Sequence, residues 1–118
     1  MSKTNQRIAR FVSVLVIGLM SSAAWAEADA VAKGKELAFN RKKGNCLGCH
    51  QIQGGTLAGN IAPPLVAMQA RYPDKAKLRA QIYDSTAINP HSIMPPFGKH
   101  GALSDKEIDL ITEYVYTL

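Results

Sequence analysis

The sequence predicts an all-α domain built of several short helices, and three observations carry that prediction. Apolar residues recur at helical spacing, most clearly at Ile108, Ile111, Val115 and Leu118. No stretch reads convincingly as a strand. Gly- and Pro-rich breaks at 51–62, 89–90 and 95–98 separate the periodic segments.

The chain has 118 residues, with 14 Lys+Arg and 9 Asp+Glu. That length allows one domain and excludes a multidomain enzyme. With 19% charged and 47% hydrophobic residues, wholesale disorder and a multispanning membrane protein are also excluded.

The first segment reads as an export signal. Lys3, Arg7 and Arg10 precede an apolar run from Phe11 to Met20. Ser21-Ser22-Ala23-Ala24-Trp25-Ala26 then ends in Ala-x-Ala, the small-residue pattern of a cleavage site. The competing reading is an uncleaved anchor. However, the uncharged run from Phe11 to Ala26 is only 16 residues, short of the ~20 that span a bilayer. The expected organisation is a cleaved signal at 1–26 and one domain at 27–118. The mature part carries 11 basic and 9 acidic residues, a balance too even for nucleic-acid binding. No membrane span is expected after cleavage.

A domain of 92 residues often needs a staple. Exported chains usually use disulfides, but Cys46 and Cys49 are too close in sequence to close a useful loop.

The first predicted helix runs from Ala30 to about Arg41, with Val31, Gly34 and Ala38 on one face. Arg41-Lys42-Lys43 suits its C-terminal dipole, and Gly44 is expected to end it. Cys46-Leu47-Gly48-Cys49-His50 follows, the pattern of c-type haem attachment. Two thiols at this spacing add across the two haem vinyl groups, and the next residue supplies an axial imidazole. One covalently attached haem c is therefore the expected staple. A thioredoxin-like pair would need a βαβ context. A zinc site would need another ligand pair. A disulfide across two intervening residues would be strained.

Gln51 to Ala62 reads as a loop, and Pro64 to Ala70 as a short helix with Pro64 at its first position. A carbonyl of Pro63-Pro64 is placed to accept from the His50 ring. Pro73-Asp74 starts another helix with Leu78 and Ile82 on one face, broken by Asn89-Pro90. Candidates for the second axial ligand are Met68, Met94, His91 and His100. Met94 is preferred, because it precedes two prolines that stiffen the loop without donating N–H groups. Met68 sits at helical spacing from Leu65 and reads as core. The last helix opens with a Ser104-x-x-Glu107 capping box and carries Ile108, Ile111 and Val115, widened by Leu110, Tyr114 and Thr117. Gly34 is the expected point at which the first and last helices cross, against Tyr114. The order of elements resembles the class I cytochrome c fold.

Several segments together resemble the SoxX family, monohaem c-type cytochrome subunits of the sulfur-oxidation complex SoxAX. They are Lys43 to Leu47, Gly54-Gly55-Thr56-Leu57-Ala58-Gly59-Asn60, Pro63-Pro64-Leu65, Arg71-Tyr72-Pro73-Asp74, Lys77 to Asp84, Asn89-Pro90, Met94-Pro95-Pro96-Phe97-Gly98 and the C-terminal segment from Glu107. Ala62 stands where the family is expected to have Gly. The resemblance implies a periplasmic electron-transfer subunit paired with a SoxA-like dihaem or monohaem cytochrome. That pair couples thiosulfate to a cysteine of the SoxYZ carrier and passes electrons to a small cytochrome c. It also places Cys46 and Cys49 at the haem thioethers, and His50 and Met94 at the iron. Neither cysteine is left to act as the SoxA cysteine, so this chain is expected to carry electrons rather than do the sulfur chemistry.

Two rivals stand beside that reading. One is a free electron shuttle with no permanent partner. The other is a haem peroxidase or gas sensor with a labile sixth position. Lys42, Lys43, Arg71 and Lys99 are candidates for docking, each with a solvated surface as its plain alternative.

Overall fold

The computed structural model describes residues 23–118; residues 1–22 of the expected signal segment lie outside the described part. The described residues contain helices and turns and no strand. Four α-helices, α1 (23–39), α2 (Met68–Arg71), α3 (Lys75–Tyr83) and α4 (Asp105–Tyr116), are joined by two 3₁₀ turns, η1 (Cys46–Gly48) and η2 (Ser85–Ala87). Among these helices none is long and apolar enough to cross a membrane.

α1 is already helical at residue 23, seven residues before the predicted start at Ala30; residues 23–29 are exposed, and packing begins near Ala30. Gly34 lies against the Leu110 carbonyl and the Tyr114 Cβ, so α1 and α4 cross at backbone contact. Phe39 meets Tyr114 edge to face at 6.0 Å. The expected crossing is therefore present. The end of α1 differs from expectation: the helix stops at residue 39 rather than near Arg41. Asn40 takes over the following N–H groups. Its carbonyl accepts from Lys43 (3.0 Å) and Asn45 (3.1 Å), and its side chain accepts from Lys42 (2.8 Å). Gly44 is buried, with room for no bulky neighbour between Ala38 and the Cys46 sulfur. Its role is close approach rather than a left-handed helix cap.

α2 also differs. It starts at Met68, not Pro64, after Ala67 in a left-handed conformation (φ 51°). The reason is non-local: Ala62 and Leu65 donate their N–H groups to the carbonyls of Cys49 (3.2 Å) and Gln51 (2.9 Å). Residues 62–65 are thereby tied to the motif segment and are not available to a helix. The Met68 N–H in turn donates to the C-terminal Leu118 carbonyl at 2.7 Å.

α3 is capped by Asp74, which accepts from Ala76 N–H, and buries Leu78 and Ile82. It ends at Tyr83, well before Asn89-Pro90, because the Tyr83 carbonyl accepts from Gly98 and Lys99 while Asp84 caps η2. Three ion pairs hold α3 on α4: Lys75–Glu113, Arg79–Asp105 and Arg79–Asp109. Each is solvated and contributes little singly. The larger contribution is apolar burial of Leu78, Ile82, Leu103, Ile108, Ile111 and Val115.

The capping box of α4 is formed in both directions, Glu107 N–H to Ser104 Oγ at 3.3 Å and Ser104 N–H to Glu107 Oε2 at 2.9 Å. Ile108, Ile111, Tyr114 and Val115 are buried as the spacing predicts, Leu110 and Leu118 are half-buried, and Thr117 is exposed. Thr112 is buried as well, which the apolar pattern misses; its hydroxyl donates to the Ile108 carbonyl one turn earlier at 2.7 Å.

Candidate cofactor site

The Cys46–His50 segment turns tightly. Asn45 enters η1 with φ 47°, and both Cys49 N–H (3.2 Å) and His50 N–H (2.9 Å) donate to the Cys46 carbonyl. The 54–60 loop packs on the outside of this turn: Gly59 N–H donates to the Leu47 carbonyl at 2.7 Å, and a Cβ at Gly59 would strike the Gly48 backbone. Cys46, Cys49 and His50 therefore line one cavity of about 650 Å³. That size lies in the range of cofactor sites. Its apolar walls include Leu65, Met68, Leu78, Ile82, Ile111 and Val115.

His50 is oriented by its neighbour across the loop. Nδ1 lies 2.6 Å from the Pro63 carbonyl oxygen. A carbonyl can only accept, so in the neutral ring Nδ1 carries the proton and Nε2 keeps its lone pair. The expected Pro63-Pro64 contact is thus made by Pro63. The Arg71 guanidinium donates to the next carbonyl, Pro64 O, at 2.9 Å, and steadies the same segment.

Both cysteines are free and half-buried. Burial pushes the Cys46 thiol up to about 11, with a smaller push from the nearby Cys49. A thiol with that titration is protonated at neutral pH. It lacks the lowered pKa of an exchange-active dithiol. Among the described residues no three His, Cys, Asp or Glu side chains converge on one point, so the group lacks the donors of a closed zinc site.

Of the candidate second ligands, Met94, Met68 and His91 line the cavity and His100 does not. Met68 is buried among core residues, and its sulfur accepts from Arg71 at 3.4 Å. His91 is exposed. Met94 is half-buried and held at three points. Ser85 Oγ donates to its carbonyl at 2.6 Å, its N–H donates to Ser92 Oγ at 3.2 Å, and Gln81 Nε2 donates to its sulfur at 3.9 Å. None of these three partners stood out in the sequence. Ser85 is fully buried.

Three of the four basic docking candidates are engaged within the chain. Lys43 pairs with Glu107 at 2.7 Å and Lys99 with Asp84 at 3.0 Å, while Arg71 holds Pro64. The Lys43 charge, with the Ser104 N–H, pulls the Glu107 carboxyl down to about 2. Near the cavity, Ile61 and Ile93 are 66% and 75% exposed, which gives its rim an apolar character.

A helical shell around one cavity, with Cys-x-x-Cys-His on its wall, defines a cytochrome c-type domain. The family model of cytochrome c oxidase, cbb3-type, subunit III matches residues 29–115, and the chain belongs to this family. Such a domain implies haem c, and the donor set and the cavity fit it. The crystal structure of SoxXA from P. pantotrophus is similar in fold, with a TM-score of 0.66 and 24% identity over 73% of this chain and 79% of that one. An uncharacterized lipoprotein of Aquifex aeolicus (strain VF5) is 37% identical over 76 residues, or 64% of this chain. The chain spans 37% of the length of that relative.

Proposed function

We propose that this chain is an exported, monohaem electron-transfer cytochrome of SoxX type. Residues 1–26 direct export to the periplasm and are removed. Cys46 and Cys49 hold one haem c through thioethers, and His50 and Met94 bind its iron. The haem supplies a one-electron ferric–ferrous couple. The observation that carries the reading is the convergence on one cavity of two thiols, a thioether and an imidazole whose Nε2 is left free by its bond to Pro63.

The chain's own part is to hold those groups still. Pro63 and Arg71 fix the imidazole side, and Ser85 and Ser92 fix the Met94 backbone. A site that does not rearrange between oxidation states suits electron transfer. Two protein ligands leave no open iron position, which disfavours peroxidase or sensor chemistry. The likeness to SoxXA supports a SoxA-like partner. With it, the complex would couple thiosulfate to the SoxYZ carrier cysteine, and this chain would pass electrons to a small cytochrome c. The family description supports a second reading, in which the chain delivers electrons to an oxidase.

Native purification under mild conditions, with haems and chains counted, separates the two. A tight complex with a cysteine-bearing haem protein supports the SoxX reading, whereas a one-haem monomer or an oxidase assembly removes it. The ligand assignment has its own test. Ferric wild-type holoprotein should show the weak sulfur-to-iron absorption band, and Met94→Ala should lose it. A band unchanged in the variant removes Met94 from the iron.

A further inference from the structure

Gln81 has no role in the reading above, although it sits within reach of the sulfur that reading places at the iron. It lies on α3, half-buried, with its side chain lining the cavity. The helix is a firm base. Leu78 and Ile82 on either side of Gln81 are buried, and Arg79 and Lys75 tie α3 to α4. The Gln81 amide nitrogen is 3.9 Å from Met94 Sδ. A thioether only accepts hydrogen bonds, so the amide must present its N–H rather than its oxygen.

We propose that Gln81 is a positioning residue that tunes the Met94 thioether, and this rests on Met94 being the axial ligand. The sulfur has two lone pairs. One accepts the Gln81 N–H and the other remains for the iron. A donor on the first pair withdraws electron density from the sulfur and weakens its donation to a metal ion. Ferric iron depends on that donation more than ferrous iron does. The Gln81 bond therefore favours the ferrous form and holds the reduction potential up. The two serine contacts act differently, because Ser85 and Ser92 reach only the Met94 backbone and leave the sulfur's electrons alone.

The test compares wild-type, Gln81→Leu, Ser85→Ala and Met94→Ala holoproteins. Three quantities are read: midpoint potential, position of the ferric sulfur-to-iron band, and melting temperature. Gln81→Leu should keep the band but move its position and shift the potential downward. Its melting temperature should change little, since the position is half-buried. Ser85→Ala should lower the melting temperature with a much smaller shift in potential. Gln81→Met, a donorless side chain of similar length, should shift the potential in the same direction and stands in if the leucine variant does not fold. A potential and band position identical to wild type in a folded Gln81 variant would overturn the proposal. Absence of the band in wild type, or its persistence in Met94→Ala, would instead overturn the ligand assignment and this proposal with it.

Discussion

The crossing of α1 and α4 makes a sharp prediction for Gly34→Ala. A Cβ at this position would overlap the Leu110 carbonyl oxygen and press on the Tyr114 Cβ. Both obstacles are fixed to the α4 backbone, so no rotamer change relieves the overlap and the helices must separate. Overpacking of this kind costs about 3 kcal/mol, the upper end of the usual range, because backbone rather than side chain is displaced. Alanine recovers about 1 kcal/mol in helix propensity over glycine. The net loss is about 2 kcal/mol. For a domain of this size each kcal/mol moves the melting point by about 4–8 °C, so Gly34→Ala should melt about 8–16 °C below wild type. The assay is far-UV circular dichroism of the holoprotein with temperature, with the Phe39–Tyr114 contact followed by near-UV signal. An unchanged or raised melting temperature would refute the close crossing, since propensity alone would then decide the outcome.

Other expectations concern α4. The Glu107 carboxyl is held at about 2 against an ordinary 4.5, first by Lys43 and then by Ser104. A depressed carboxyl stabilises the fold above its unfolded pKa and loses that contribution as pH falls. The stability gap between wild type and Glu107→Gln should therefore be full above about pH 4.5 and shrink toward pH 2, as followed by urea unfolding across that range. A gap independent of pH would deny the charge its role. Thr112→Val removes a buried hydroxyl that bonds only back to the Ile108 carbonyl, whose helix bond remains. The change in stability by chemical denaturation should stay within about 1 kcal/mol.

What could be read from the sequence was local or set by spacing. The capping box of α4 needs only residues 104 and 107, and both its bonds are present. The Gly34 crossing follows from a small residue on the packed face of one helix meeting the apolar face of another. The Pro63 contact follows from a rigid carbonyl at loop distance from His50. What could not be read depends on partners distant in sequence. α2 starts late because Ala62 and Leu65 are bonded to the motif segment, which no propensity reveals. Ser85 is buried with its hydroxyl donating to the Met94 carbonyl nine residues on, a partner that the local Tyr-Asp-Ser-Thr segment does not name. Gln81 meets Met94 from thirteen residues on, a contact that the helical spacing of Leu78 and Ile82 does not indicate. Ala62 in place of the expected glycine is accommodated without strain, because its backbone is not in the left-handed region.

The Gly34–Leu110 joint also bears on the order in which the protein is made. Its two sides are 76 positions apart in the chain, so closing it carries a loop-closure cost that nearby contacts avoid. Turns such as η1 form from neighbours and need no such closure. By loop-closure cost alone, the Cys46–His50 turn is expected to take shape before α1 and α4 meet. In that interval Cys46, half-buried in the finished fold, is more accessible. If Cys46 and Cys49 bind haem c as proposed, that interval is when the cofactor would be loaded, and a variant that hastened docking would risk shutting the thiols in empty.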